Sequence, residues 1–120
     1  MNPYAMFNNK LGDFLDDLRS VIGHLPEYTV LTSSVQFLSK FQEEQNCVLF
    51  DRYVVAPYGD QIRNRDEAFL LGEQYSANAN SGIVYMLKSV WRSLPDQDKS
   101  SVWDHMHVLL LLSERCMRAS

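Results

Sequence analysis

Two cysteines, three histidines and scattered acidic and basic side chains are the residues of this 120-residue chain that could do chemistry. A thiol nucleophile needs a base beside it, so Cys47 with His24 or a carboxylate would be the arrangement to find. Neither Cys47 nor Cys116 lies in a Cys-x-x-Cys or Cys/His spacing, and cysteine is a commonly buried small hydrophobe, so both read as core residues. His105 and His107 are two apart, which on a helix turns them about 200° from each other, whereas a helical metal pair stands at i and i+4. Asp13, Asp16 and Asp17 with Glu43 and Glu44 lack the spaced loop ligands and turn glycine of a calcium site, and read as a solvated helix face. Arg63 and Arg65 near Tyr58 would suit a phosphate, but Asp60, Asp66 and Glu67 stand among them as local ion-pair partners. The expectation is a protein with no catalytic, cofactor-binding or metal residues.

Composition bounds the rest. Hydrophobic residues make up 46% and charged residues 22%, the balance of a folded globular chain and not of a disordered one. A single domain over 1–120 is expected, and at this length folding buries roughly 65% of the surface of the unfolded chain. Net charge is −4, so the average surface repels nucleic acid and anionic membrane. The run Val108 to Leu112 is five apolar residues where a bilayer span needs about 20, so no membrane span is expected. With two distant cysteines and no basic-then-apolar leader, a reduced compartment is expected, and a soluble or assembled protein.

The elements follow from spacing. Residues 1–6 contain Pro3 and no period, and are expected to form a flexible arm. Phe7, Leu11, Phe14, Leu15, Leu18, Val21 and Ile22 recur at threes and fours, predicting an amphipathic helix that Gly23 closes in a left-handed conformation before Pro26 starts the next. Tyr28, Leu31, Val35, Leu38 and Phe41 give that second helix its apolar side, and Gln42 to Gln45 ends it, with Asn46 available as a cap. Residues 47–56 have strand-like propensity but no second strand to pair with, so a helix is expected, broken or bent at Pro57. Tyr58 to Arg65 is expected to make a short helical turn that carries Ile62 inward, and Asp66 to cap a further short helix holding Phe69 and Leu70. Residues 75–82 read as a mobile loop. Ile83, Val84, Leu87, Val90, Trp91 and Leu94 predict a helix stopped by Pro95, followed by a last helix opened by Asp96 and Asp98.

These elements predict an all-α fold, a compact bundle of five to six helices ending in an antiparallel pair. Its organising stretch is Val102 to Leu112. Val102, Met106, Leu109, Leu110 and Ser113 share one stripe with Trp103 beside it, while Val108, Leu111 and Leu112 carry apolar character nearly round the helix. One stripe can pack on the preceding helix and the first hairpin. A second stripe needs another cover. The expected protein interface is therefore Tyr4, Phe7, Val108, Leu111 and Trp103, with Trp91 and Trp103 otherwise expected in the core.

Three stretches together resemble small helical proteins encoded by large nucleocytoplasmic DNA viruses, the algal phycodnavirus group especially. They are Phe7-Asn8-Asn9-Lys10-Leu11 with Phe14-Leu15 and Leu18; Pro57-Tyr58 with Gln61-Ile62, Arg65, Glu67 and Phe69-Leu70; and Val90-Trp91, Ser93-Leu94, Asp98, Val102-Trp103, Val108-Leu109-Leu110 and Leu112-Ser113. The chain departs from such proteins at its first turn, which reads His24-Leu25-Pro26-Glu27 where they often carry an acidic Phe-Pro-Glu turn. The resemblance implies an all-helical minor structural protein carried in the virion and present in host cytoplasm during assembly. Its partners would be other viral structural proteins or further copies of itself, and the alternative it leaves open is an intracellular adaptor of a host or viral protein. It transfers no catalytic residues.

Overall fold

Asn2 caps the first helix, accepting the Ala5 amide on its side-chain oxygen at 2.7 Å, and Pro3 occupies the first helical position. In this computed structural model, which describes residues 2–71 and 82–119, α1 therefore spans Pro3–Ile22. The arm expected over 1–6 is helical from Pro3 onward, because an Asn cap followed by proline satisfies a helix start without the proline's missing amide. α2 is Pro26–Phe41, α3 Gln45–Phe50, α4 Ala56–Arg63, α5 Ala68–Leu71, α6 Gly82–Val90 and α7 Asp96–Ala119. Among the described residues there is no strand, and the fold is an all-α bundle. The loop expected at 75–82 falls outside the described residues up to 81, and Gly82 already belongs to α6.

Three local expectations change. Gly23 closes α1 with right-handed angles, φ −62° and ψ −19°, so the hairpin turns without a left-handed residue there. Of the break or bend expected at Pro57, the break does not occur: α3 runs into a wider π-helical turn, Asp51–Val55, and that into α4, giving one continuous helical segment. A π turn displaces the hydrogen-bond ladder by a residue, which lets a helix pass a proline that cannot donate. Asn46 is not a cap. It lies inside α3, buried, and its amide nitrogen reaches Asn8 Oδ1 at 3.1 Å, the Val35 carbonyl at 3.1 Å and Ser39 Oγ at 3.0 Å. Asn8 in turn donates to the Glu43 carbonyl at 2.9 Å, so one amide pair ties α1, α2 and α3 together.

Among the described residues, the left-handed one is further along. Arg65 has φ 49°, its amide bonds to the Ile62 carbonyl and the Asp66 amide to the Gln61 carbonyl, the paired bonds that seal a helix C-terminus around a left-handed residue. Asp66 then accepts the Ala68 amide at 3.0 Å and starts α5, as its type predicts.

α7 makes its most extensive packing with α1, not with the helix before it; α6 leans on α1, α2 and α5. Phe7, Leu11, Phe14, Leu15, Leu18 and Ile22 from α1 and Val102, Met106, Leu109 and Leu110 from α7 belong to one buried core. An aromatic chain closes the other side: Tyr58 stacks on Phe69 at 4.9 Å, Phe69 lies 6.2 Å from Trp103, and Trp103 meets Trp91 edge-on at 5.3 Å. Trp91 is fully buried, and its indole N–H donates to Glu67 at 2.8 Å, which satisfies the one polar atom the burial would strand.

Candidate interaction surfaces

Each residue singled out by its chemistry has a place. Cys47 is buried, with its Sγ 3.8 Å from the Ser113 carbonyl, and burial together with the neighbouring Cys116 thiol pushes it well above the ordinary thiol range. That is the opposite of an activated nucleophile, which must be a thiolate. His24 sits exposed at the α1–α2 turn. His105 stacks on Phe14 at 5.0 Å and its Nε2 lies 2.5 Å from Asp17 Oδ2, tying α7 to α1. Of the acidic set, Asp16 pairs with Arg19 and Glu43 with the Asn2 side chain, and among the described residues no group of three His, Cys, Asp or Glu could hold a metal ion. Arg63 pairs locally with Asp60 at 3.1 Å and also reaches Glu114 at 2.5 Å on α7, while Arg65 pairs with Asp104 on the same helix. The two arginines thus link α4 and the turn after it to α7 at the surface.

The five residues expected at an interface divide. Phe7 is fully buried and touches Phe50 edge-on at 5.3 Å, and Trp103 is 6% exposed, so both belong to the core of this chain. Tyr4 is half-buried against the core. Val108 and Leu111 point outward, Leu111 at 50% exposure. The reason is angular: Leu110 and Leu111 are adjacent but 100° apart on the helix, and only the first turns into the bundle, where it packs beside Gly59 of α4.

A larger outward apolar surface lies on α2. Val30, Phe37 and Phe41 are 67%, 57% and 64% exposed, and spacings of seven and four put them within about 40° of one another on the helix. The two phenylalanine rings touch at 4.9 Å, with the Lys40 ammonium 5.6 Å from the Phe41 ring centre. On α2 only Tyr28 and Val35 are buried, and Tyr28 fixes the helix by donating its hydroxyl to the Leu15 carbonyl at 2.7 Å. Sequence reasoning placed Phe41 inward with Leu31 and Leu38. The signal it passed over is that Val30, Phe37 and Phe41 form a second stripe of their own, opposite Tyr28 and Val35.

Both surfaces present apolar side chains on helices, with the Arg65–Asp104 ion pair beside the α7 stripe and the Lys40 ammonium beside the α2 stripe. In comparisons with known proteins, no family model, curated protein or solved structure matches this chain.

Proposed function

We propose that this chain is a non-enzymatic protein-interaction module, acting as a minor, capsid-associated structural component of a large DNA virus particle. The observation that carries the binding role is the stripe Val30, Phe37 and Phe41, left outside a core that closes without it. Single exposed apolar residues are ordinary on a protein surface, whereas aligned large ones mark places where a partner excludes water. The two outward stripes, on α2 and α7, give the domain two faces. A chain with two binding faces can bridge neighbours, which suits a component of an assembly. The net charge of −4 favours protein partners over nucleic acid.

The particle role is supported by the resemblance of the Phe7, Pro57 and Val90 stretches to small virus-encoded helical proteins. It implies other structural proteins as partners, residence in the virion, and passage through host cytoplasm. Quantitative mass spectrometry of purified particles tests it, with a fixed copy number expected. Recovery with one regulatory protein, and absence from particles, would replace it with the adaptor role. Phe37→Ser with Phe41→Ser tests the binding role directly: the helical spectrum should persist while partner capture is lost, and undiminished capture would sink the reading.

A further inference from the structure

The outward stripe of α7 has an order that the α2 stripe lacks. Reading along the exposed face, it runs Ser101, Asp104, Val108, Leu111, Arg115 and Arg118: acid first, apolar in the middle, basic last. We infer that this stripe is a self-recognition surface that pairs α7 with α7 of a second copy, antiparallel, about a two-fold axis midway between positions 109 and 110. This rests on reading the α7 stripe as a binding surface and names its occupant.

The register is what carries the inference. A two-fold axis at that point sends Val108 onto Leu111 of the second copy, Asp104 onto its Arg115 and Ser101 onto its Arg118. Every position on the stripe meets a compatible one, and each contact occurs twice, as an isologous interface requires. A parallel arrangement would set Asp104 against Asp104 and Arg115 against Arg115, so charge selects the antiparallel one. Asp104 has a side chain 67% exposed while it holds Arg65, which leaves its carboxylate open to a second guanidinium. Arg115 is exposed and makes no ion pair among the described residues. On α2, by contrast, Val30, Ser34, Phe37 and Phe41 carry no charge and specify no register.

From Ser101 to Arg118 the stripe is about 26 Å long at 1.5 Å per residue. One helix face of that length falls short of the ~800 Å² per partner of a stable complex, so the pairing is weak and concentration-driven. Weak pairing is the useful kind for a subunit that must assemble only where it is concentrated.

Sedimentation velocity across micromolar to millimolar concentration tests this. The wild-type mass should rise from 13.9 kDa toward twice that value. Arg115→Asp alone should weaken association roughly tenfold, as should Asp104→Arg, since each turns two marginal attractions into repulsions. Asp104→Arg also puts a cation beside Arg65, so it is made in an Arg65→Ala background, which by itself should pair at least as well as wild type. Mixing the Arg115→Asp chain with the Asp104→Arg chain should restore association as a heterodimer, because every charge then faces its opposite. Circular dichroism of each variant confirms the fold. A wild type that stays at 13.9 kDa throughout overturns the inference, as does a mixture that associates no better than its components. If the wild type stays monomeric yet Leu111→Glu is lost from particles, the occupant is another protein's helix and the broader binding role stands. If Leu111→Glu and Phe37→Ser both leave particle association unchanged, the broader role falls, while the charge-swap mixture still decides self-pairing.

Discussion

The two sides of α7 carry the same kinds of residue and have opposite fates. Leu109 and Leu110 are fully buried, and Leu111, the next residue, is half exposed. Val102 is buried and Val108 exposed, although both are valines on one helix. Apolar character therefore does not decide which side of this helix is core; the positions of α1, α3 and α4, which pack on it, do. α1 presents Phe14 and Leu18 to a single face, and its Asp17 grips His105 at the edge of that face, which fixes the rotation of α7 about its own axis. The outer side keeps its apolar residues without a cover.

The comparison breaks most visibly on the inner side. Leu110→Ala should cost about 2–5 kcal/mol and Trp103→Ala about 3–5 kcal/mol, since each leaves a cavity among rigid helices that cannot collapse into it. Chemical denaturation would measure both. If Trp103→Ala unfolded at the wild-type midpoint, the packing of α7 against the aromatic chain would be wrong.

A smaller loss is expected at the buried polar junction. Asn46→Ala removes the donor that reaches Asn8, the Val35 carbonyl and Ser39. Val35 O keeps the Ser39 hydroxyl at 2.7 Å, but Asn8 Oδ1 loses this donor. One buried acceptor stranded in this way costs about 1–3 kcal/mol, and loosened amide-exchange protection should appear in α3 first.

How far these contrasts could be read from sequence depends on the physics behind each. The inward stripe of α7 and the apolar face of α1 were legible, because a helical period fixes which residues share a face. Ile62, Leu70 and the Asp66 cap were legible for similar local reasons. The face a helix turns inward is legible only when its other side is polar. On α2 both sides are apolar, so Phe41 was assigned inward, and Phe37 and Val30 were passed over. Asn46 illustrates the same limit for polar residues, since nothing local distinguishes a cap from an amide that meets Asn8 thirty-eight positions away. The absence of a break at Pro57 has the opposite reason: a strong local rule is overridden by a π turn that packs on α7. Of the expected interface, Val108 and Leu111 face outward, whereas Phe7 and Trp103 are large aromatics that the core claimed.

Arg65→Gly should raise stability by up to about 1 kcal/mol. The left-handed conformation costs a side-chain-bearing residue roughly that much and costs glycine nothing, while the exposed pair with Asp104 returns little. Made together with Asp104→Asn, which removes the pair from both reference and variant, the same change should show the full gain. A loss of stability in that background would mean that Arg65 holds α4 to α7 by more than its charge.

The smallest effect is expected at the residue that differs from Leu110 by one helical step. Leu111→Glu should change the stability of the isolated domain by no more than about 1 kcal/mol. Glutamate and leucine have nearly equal helix propensity, so the backbone is indifferent. Full burial of a leucine is worth about 1.5–3 kcal/mol, and this one is only half covered, so little packing is lost. The new carboxylate stays in water and has Arg115 four residues along on the same face, a favourable i, i+4 pair worth a few tenths of a kcal/mol. The identical change at Leu110 would strand a charge in the buried core beside Gly59 of α4, and should unfold the domain. The pair of variants turns the comparison into a single measurement by thermal denaturation. Equal losses at the two positions would mean that a cover lies over the outer stripe within this same chain, and that α7 has one environment instead of two.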